Sequence, residues 1–186
     1  MFTYEVDEEI SLKLIDEGDA EAVFTLTDQS RDYLREWLPW IDMTTEIGDT
    51  RNFIKASKKM YAESKGLNTV ILYNGEAAGI VGYNEVDWQN KITYIGYWLG
   101  EGFQGKGIMT RATKALVDYA FEQLNLHKVD IRAAERNKKS RSIPERLGFQ
   151  QEGKIRAGEL LYGKYVDHVV YGLLKDEWEK MNASEA

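Results

Sequence analysis

The sequence predicts a mixed α/β (α+β) domain: a central, mostly antiparallel sheet of six to seven strands with helices on both faces. Three observations carry this. Short runs alternating apolar and polar residues are interleaved with longer segments whose apolar residues recur at helical spacing. Asn74-Gly75 lies between two strand-like runs and is a tight hairpin signal. A glycine-rich segment, Gly102-Phe103-Gln104-Gly105-Lys106-Gly107-Ile108-Met109-Thr110, joins the alternating run Thr93-Tyr94-Ile95-Gly96-Tyr97-Trp98-Leu99 to a helical pattern of Ala112, Ala115, Leu116, Tyr119 and Ala120.

Ser11-Leu12-Lys13-Leu14-Ile15 alternates as a first strand. Residues 17–30 read as a helix, followed by a tryptophan-rich loop or short helix with Tyr33, Leu34, Trp37, Leu38, Pro39 and Trp40. Asp49 suits the cap of a helix whose apolar face is Phe53, Ile54, Ser57, Met60 and Tyr61, closed by Gly66. Residues 68–73 and 77–87 form the hairpin strands, and residues 91–99 lead into the glycine-rich turn. A helix over about 107–124 follows, then a strand at Lys128–Ala134. Ser142-Ile143-Pro144-Glu145 fits a capping box with proline in the first turn, so a short helix runs to Leu147. Gly148-Phe149 restarts extended structure, residues 166–174 make a last strand, and residues 182–186 read as a frayed tail. No repeat, linker or boundary interrupts the chain, which reads as one domain over residues 1–186 with a core at about 8–180.

Composition narrows the function classes. At 186 residues, 43% hydrophobic and 30% charged, the chain suits one soluble globule with a proper core. The acidic start, Met1-Phe2-Thr3-Tyr4-Glu5-Val6-Asp7, argues against a signal peptide, and no apolar stretch approaches the ~18 residues of a membrane span. The absence of cysteine rules out disulfides, thiolate metal sites and an acyl-cysteine intermediate, and fits a cytoplasmic setting. With two histidines, His127 and His168, no histidine-rich metal site is expected. A net charge of −7 argues against nucleic-acid binding and favours cationic partners.

The glycine-rich segment carries the clearest chemistry. A strand feeding a helix start through glycines presents bare backbone N–H groups at the positive end of a helix dipole. Such a cradle suits phosphate or pyrophosphate, and Lys106 adds positive charge nearby. The spacing is neither GxxxxGK[ST] nor GxGxxG, since no third glycine follows Gly105-Lys106-Gly107 at the required place. An ordinary glycine-rich connection is the alternative reading.

With Asn137-Lys138-Lys139-Ser140 and Glu145-Arg146-Leu147-Gly148-Phe149 further on, the order of elements resembles the GNAT acyltransferases. Within them it resembles the RimL/RimJ branch, which acetylates ribosomal-protein N-termini, and more narrowly a YdaF-like member. Gln104-x-x-Gly107-x-Met109 resembles the family's [Q/R]-x-x-G-x-[G/A] loop, and Tyr94-Ile95-Gly96-Tyr97-Trp98-Leu99 its preceding strand. Asp167…Tyr171-x-Leu173-Leu174…Glu177-Trp178 resembles its C-terminal strand. Met109 departs from the small residue usual in that loop, which is tolerable if its side chain enters the core. Tyr94 stands where many branch members carry a glutamate, so a base role at that position does not carry over.

The resemblance implies acetyl-CoA as acetyl donor, with its pyrophosphate on the N–H groups of Gln104, Gly105, Lys106, Gly107, Ile108 and Met109, and Thr110 adding its hydroxyl. It implies a pantetheine arm along Tyr97, Trp98 and Leu99 in the manner of an added strand. A backbone N–H there would meet the thioester carbonyl. Asn137 matches a pantetheine contact. With Asn137, Ser140 matches the family's N-x-x-S pair and is the candidate to hydrogen-bond or protonate the leaving thiolate; as a residue it equally suits a helix N-cap, although Ser142 competes for that cap. Glu159 matches a carboxylate near the acceptor amine, or is an ordinary loop glutamate. An α-amine with a pKa near about 8 needs only a modest base.

Other candidates are weaker. His168 beside Asp167 is a base or a structural pair, and His127 is a turn residue. Arg132, Arg136, Lys138, Lys139 and Arg141 are a 3′-phosphate site or a solvated face. Trp37, Trp40 and Trp88 line an acceptor mouth, or serve core packing or a dimer contact. The expected function is acetyl transfer from acetyl-CoA to a primary amine by direct attack, with no metal. The acceptor is a protein or peptide N-terminus, ribosomal by resemblance; the alternatives are a small cationic amine (polyamine or aminoglycoside) or a non-catalytic acyl-CoA sensor. Branch relatives imply self-association as a homo-oligomer.

Overall fold

The computed structural model describes residues 3–185. β1 (Thr3–Glu5) and β2 (Ile10–Leu14) precede a one-turn helix at Glu17–Asp19, α1 (Ala20–Gln29) and α2 (Arg31–Arg35). α3 (Ile47–Ala62), β3 (Leu67–Tyr73), β4 (Glu76–Asp87) and β5 (Ile92–Leu99) lead to α4 (Ile108–Glu122). β6 (Lys128–Ala134), α5 (Lys138–Arg146), β7 (Gln150–Leu161), β8 (Lys164–Leu174) and α6 (Lys175–Glu185) complete the described residues. The strands form one open sheet in the order β1-β2-β3-β4-β5-β6-β8-β7. β5 and β6 pair in parallel, and the other neighbours are antiparallel.

Period-two side-chain alternation divides the core into two layers. Ile15, Val70 and Ile80 face α1 and α3 with Val23 and Ile54. Their sequence neighbours Ile71 and Val81 face the other way, joining Ile95 and Val129 against Ile108, Ala112, Leu116 and Phe121 of α4. Helices therefore cover both faces. Asn74 and Gly75 take positive φ of 49° and 83°, as the tight turn between β3 and β4 requires.

Among the described residues the sheet has eight strands rather than six to seven. All three residues of β1 are exposed, and so are nearly all of β7, so neither shows the one-sided burial that makes alternation readable. α6 replaces the expected frayed tail through Glu185, and Glu177 and Trp178 lie on it rather than in the last strand. Trp178 packs on Phe121 and donates its indole N–H to Asp118. α3 starts at Glu46 instead of Asp49; the Asp49 carboxylate sits inside the first turn and accepts from the N–H groups of Thr45 and Glu46. Its buried face is Thr50, Ile54 and Ser57, while Phe53 and Tyr61 are exposed. Ser64, at φ 56°, ends it: the N–H of Ser64 bonds Tyr61 and that of Lys65 bonds Met60, a Schellman closure. Gly66 serves instead the close approach of the Tyr83 carbonyl.

One buried charge has a stability consequence. Asp130 on β6 is 5% exposed, beside Lys128 at 3.1 Å, which Glu152 shares at 2.7 Å. Burial holds its carboxyl above the ordinary carboxylate range, and the Lys128 ammonium only partly offsets this. A raised folded-state pKa favours folding at low pH, and that contribution is lost as pH rises through the folded value. Asp130→Asn removes the charge that burial disfavours while Lys128 keeps Glu152, and is therefore expected to raise Tm at pH 7. Thermal melts from pH 4 to 7 should also show a flatter pH dependence for the variant.

Candidate active site

Parallel pairing of β5 with β6 runs from Ile92↔Lys128 to Ile95↔Ile131 and then stops. β5 continues against β4 to Leu99↔Gly79, while β6 continues against β8 to Ala134↔His168. The two strands thus part, leaving one edge of Tyr97, Trp98 and Leu99 without a strand neighbour. Gly100 donates its N–H to Ala78, so Trp98 also turns its main-chain groups toward β4 and Tyr97 turns its own into the gap. A register shift between Tyr83 and Glu85 sets Asn84 against Gly96, where a Cβ would lie 2.5 Å from the Asn84 amide nitrogen.

A cavity of about 640 Å³ occupies this gap. Trp37, Trp40, Phe53, Tyr97, Glu159 and His168 are among its walls. A second space of about 110 Å³, bounded by Tyr33, Leu99, Gln104, Met109 and Lys139, shares Trp37, Leu38, Tyr97, Trp98, Asn137 and Ser140 with the first. It links the cavity to the glycine-rich turn.

In that turn Gly105 and Gly107 take φ of 75° and 69°, which glycine adopts without strain. Gly107 is the N-cap of α4. The N–H groups of Gly105, Lys106, Gly107, Ile108, Met109 and Thr110 have no acceptor among the described residues. Gln104 differs from expectation: its N–H is bonded to the Glu101 carbonyl, and its side-chain amide donates to Leu99 and Gly100. Lys106 also differs, its ammonium lying over the rings of Tyr73 and Phe103 at 5.3 and 5.6 Å. The Met109 side chain is in the core, 6% exposed.

On the opposite wall α5 begins at Asn137, whose side chain accepts from the Ser140 N–H. Ser142 is therefore not the cap, and its hydroxyl bonds back to Lys139. Pro144 falls inside the helix and has no N–H to offer the carbonyl four residues earlier, that of Ser140. Tyr97 supplies the missing donor at 2.8 Å. The Ser140 hydroxyl lies 3.4 Å from the Tyr97 oxygen and borders both cavities. Burial pushes the Tyr97 phenol far above its ordinary range, so it remains a donor. Tyr97→Phe is expected to cost about 1 kcal/mol by removing the donor to that partly buried carbonyl, read as a fall in denaturation midpoint.

Glu159 and His168 meet across β7 and β8 at 3.8 Å, facing the large cavity. Asp167 does not pair with His168. Successive strand residues face opposite ways, and Asp167 instead accepts from the Ala157 N–H and lies 3.6 Å from Lys154. Trp37 and Trp40 line the cavity, with Trp40 packed on Trp98 at 6.0 Å. Trp88 does not; it is 47% exposed on the β4–β5 hairpin and bonds Ser64. The basic run is divided. Arg132 stacks over Tyr94 at 5.1 Å, Lys139 over Tyr33 at 5.1 Å, and Arg141 bonds Tyr171 and Glu135. The His127 backbone bonds Lys91 and Lys175. Asn84 and Phe53 are cavity residues that sequence reasoning missed; an asparagine inside the apolar run around Tyr83 was the available signal.

Residues 9–150 match the family described as the acetyltransferase (GNAT) domain. The chain is 40% identical over 180 residues, 96% of its length and 98% of the relative, to YdaF of Bacillus subtilis (strain 168), provisionally named a ribosomal N-acetyltransferase. The structure of RimL, titled a ribosomal L7/L12 alpha-N-protein acetyltransferase in complex with coenzyme A, superposes with a TM-score of 0.91 at 27% identity, over 95% of this chain and 99% of that one. The microcin C7 self-immunity acetyltransferase MccE, solved with acetyl-CoA and AMP, gives 0.87 at 34% identity, over 91% and 94%. The parted strands, the donor-rich turn and these likenesses lead to one conclusion: the chain belongs to the GNAT acetyltransferase family.

Proposed function

We propose that this protein transfers the acetyl group of acetyl-CoA to the N-terminal α-amine of a protein, with a ribosomal protein as the acceptor class. One observation carries the reading: a continuous path from the bare N–H groups of residues 105–110, along Tyr97–Leu99, to the cavity holding Ser140 and Glu159. The turn fits a pyrophosphate, for which the N–H groups of Gly105, Lys106, Gly107, Ile108, Met109 and Thr110 are the donors. The edge at Tyr97, Trp98 and Leu99, with Asn137 opposite, fits an extended amide-bearing arm. Bound there, acetyl-CoA supplies an activated carbonyl.

The chain's own groups supply the rest. The Tyr97 main-chain N–H faces the gap, where it stabilises charge on the carbonyl oxygen. Glu159 takes the proton of the acceptor amine, directly or through water, as nitrogen bonds to carbon. Ser140 donates to the sulfur as the carbon–sulfur bond breaks. The absence of cysteine rules out an acyl-cysteine intermediate and agrees with direct attack of the amine on the bound thioester. Residues 1–186 act as one domain with its core at about 8–180, in the cytoplasm, without nucleic acid, and self-associate as a homo-oligomer.

A small cationic amine is the second reading. The cavity of about 640 Å³, a volume that suits a small molecule, favours it. Thiol release from acetyl-CoA, run without acceptor, with a ribosomal-protein mixture and with a polyamine panel, tests these. Release driven by the protein mixture supports the first reading. Release by polyamines alone moves the assignment to small amines, and coenzyme A binding without release in any arm moves it to a sensor.

A further inference from the structure

β7 reaches the cavity through an irregularity. Ile155 pairs with His168 and Glu159 with Val166, so Arg156, Ala157 and Gly158 oppose the single residue Asp167. β7 thus carries two more residues than its partner there. In unbroken register Ala157 would face Val166, and Glu159 would face Lys164 at the hairpin tip, about 7 Å farther along the strand. The insertion draws Glu159 back to the cavity wall, 3.8 Å from His168.

The insertion has a visible clasp. Ala157 sits at φ 49°, a left-handed conformation uncommon for a residue with a Cβ. Its N–H donates to Asp167 Oδ1 at 2.8 Å. Lys154 Nζ lies 3.6 Å from the other Asp167 oxygen and 3.3 Å from Glu135. Gly158 then passes the imidazole so closely that a Cβ would lie 3.1 Å from His168 Cγ. Asp167 itself faces away from the cavity and is not among its walls.

We infer that Asp167 is a positioning residue for the acetyl-transfer reaction: by clasping the Ala157 N–H it holds the β7 bulge that sets Glu159 at the acceptor amine. The inference rests on the reading of Glu159 as proton acceptor. Bulges that re-aim a side chain beside a reacting centre are a recognised use of such strain.

A double-mutant cycle in thiol-release kinetics tests it. Asp167→Ala should lower kcat on the order of tenfold with the KM for acetyl-CoA unchanged, since misplacement of a reacting group costs at least that much. Asp167→Asn retains an oxygen for the Ala157 N–H and should stay near wild type. Adding Ala157→Gly to Asp167→Ala should recover part of the loss, because glycine holds positive φ without a clasp. Ala157→Val alone, whose branched side chain resists that φ, should lower kcat even if Asp167→Ala folds poorly. In an E159Q background Asp167→Ala should cost nothing further. An equal loss in both backgrounds, or no loss in the wild type, overturns the role of Asp167. Full turnover by E159Q alone overturns the Glu159 reading and this inference with it, a result distinct from additivity.

Discussion

Glu159→Gln is expected to lower kcat by on the order of 10²-fold while leaving the KM for acetyl-CoA nearly unchanged. Glutamine keeps the size and hydrogen-bonding capacity of the side chain but cannot take the proton that the amine sheds on attack. Glu159 stands on the β7 wall of the large cavity and does not border the smaller space that leads to the glycine-rich turn. A loss confined to kcat in steady-state thiol release would therefore mark a group used in the chemical step. A rise in the KM for acetyl-CoA at constant kcat would instead make Glu159 a binding residue.

Gly107→Ala is expected to weaken coenzyme A binding about tenfold. A Cβ at φ 69° costs roughly 1–2 kcal/mol, and the exposed turn relieves this by rotating away from the conformation that aims its N–H groups outward. Gly102 provides the contrast. It has no positive φ and nothing within 4 Å of an added Cβ, so Gly102→Ala should leave the affinity unchanged. Calorimetric titration with coenzyme A separates the two variants, and equal affinities would remove the turn from the binding site.

Much of this arrangement was legible in the sequence, for identifiable reasons. β3, β4 and β5 each bury one or both faces, so their apolar residues stand out, and Asn74-Gly75 marks the turn between the first two. The glycines of the donor turn are needed for backbone conformation, which is why Gly105 and Gly107 could be placed without any partner in view. β7 lacks such a signal: from Gln150 to Gly158 every residue is exposed, and its bulge breaks what period remained. The start of α5 was misplaced because Ser142 and Glu145 imitate a capping box, whereas Asn137 has the geometry to accept from Ser140. The role of Pro144 depends on a contact between residues 43 positions apart, Tyr97 and Ser140, which no local pattern encodes. The separation of Trp88 from Trp37 and Trp40 is likewise a matter of topology.

A paired-peptide assay decides whether the acetyl group goes to a protein α-amine. A ribosomal-protein N-terminal peptide containing one lysine is assayed for thiol release beside the same peptide blocked at its α-amine. Release with the free peptide and none with the blocked one is the predicted result. Equal release from both, or release with polyamines and neither peptide, would contradict it.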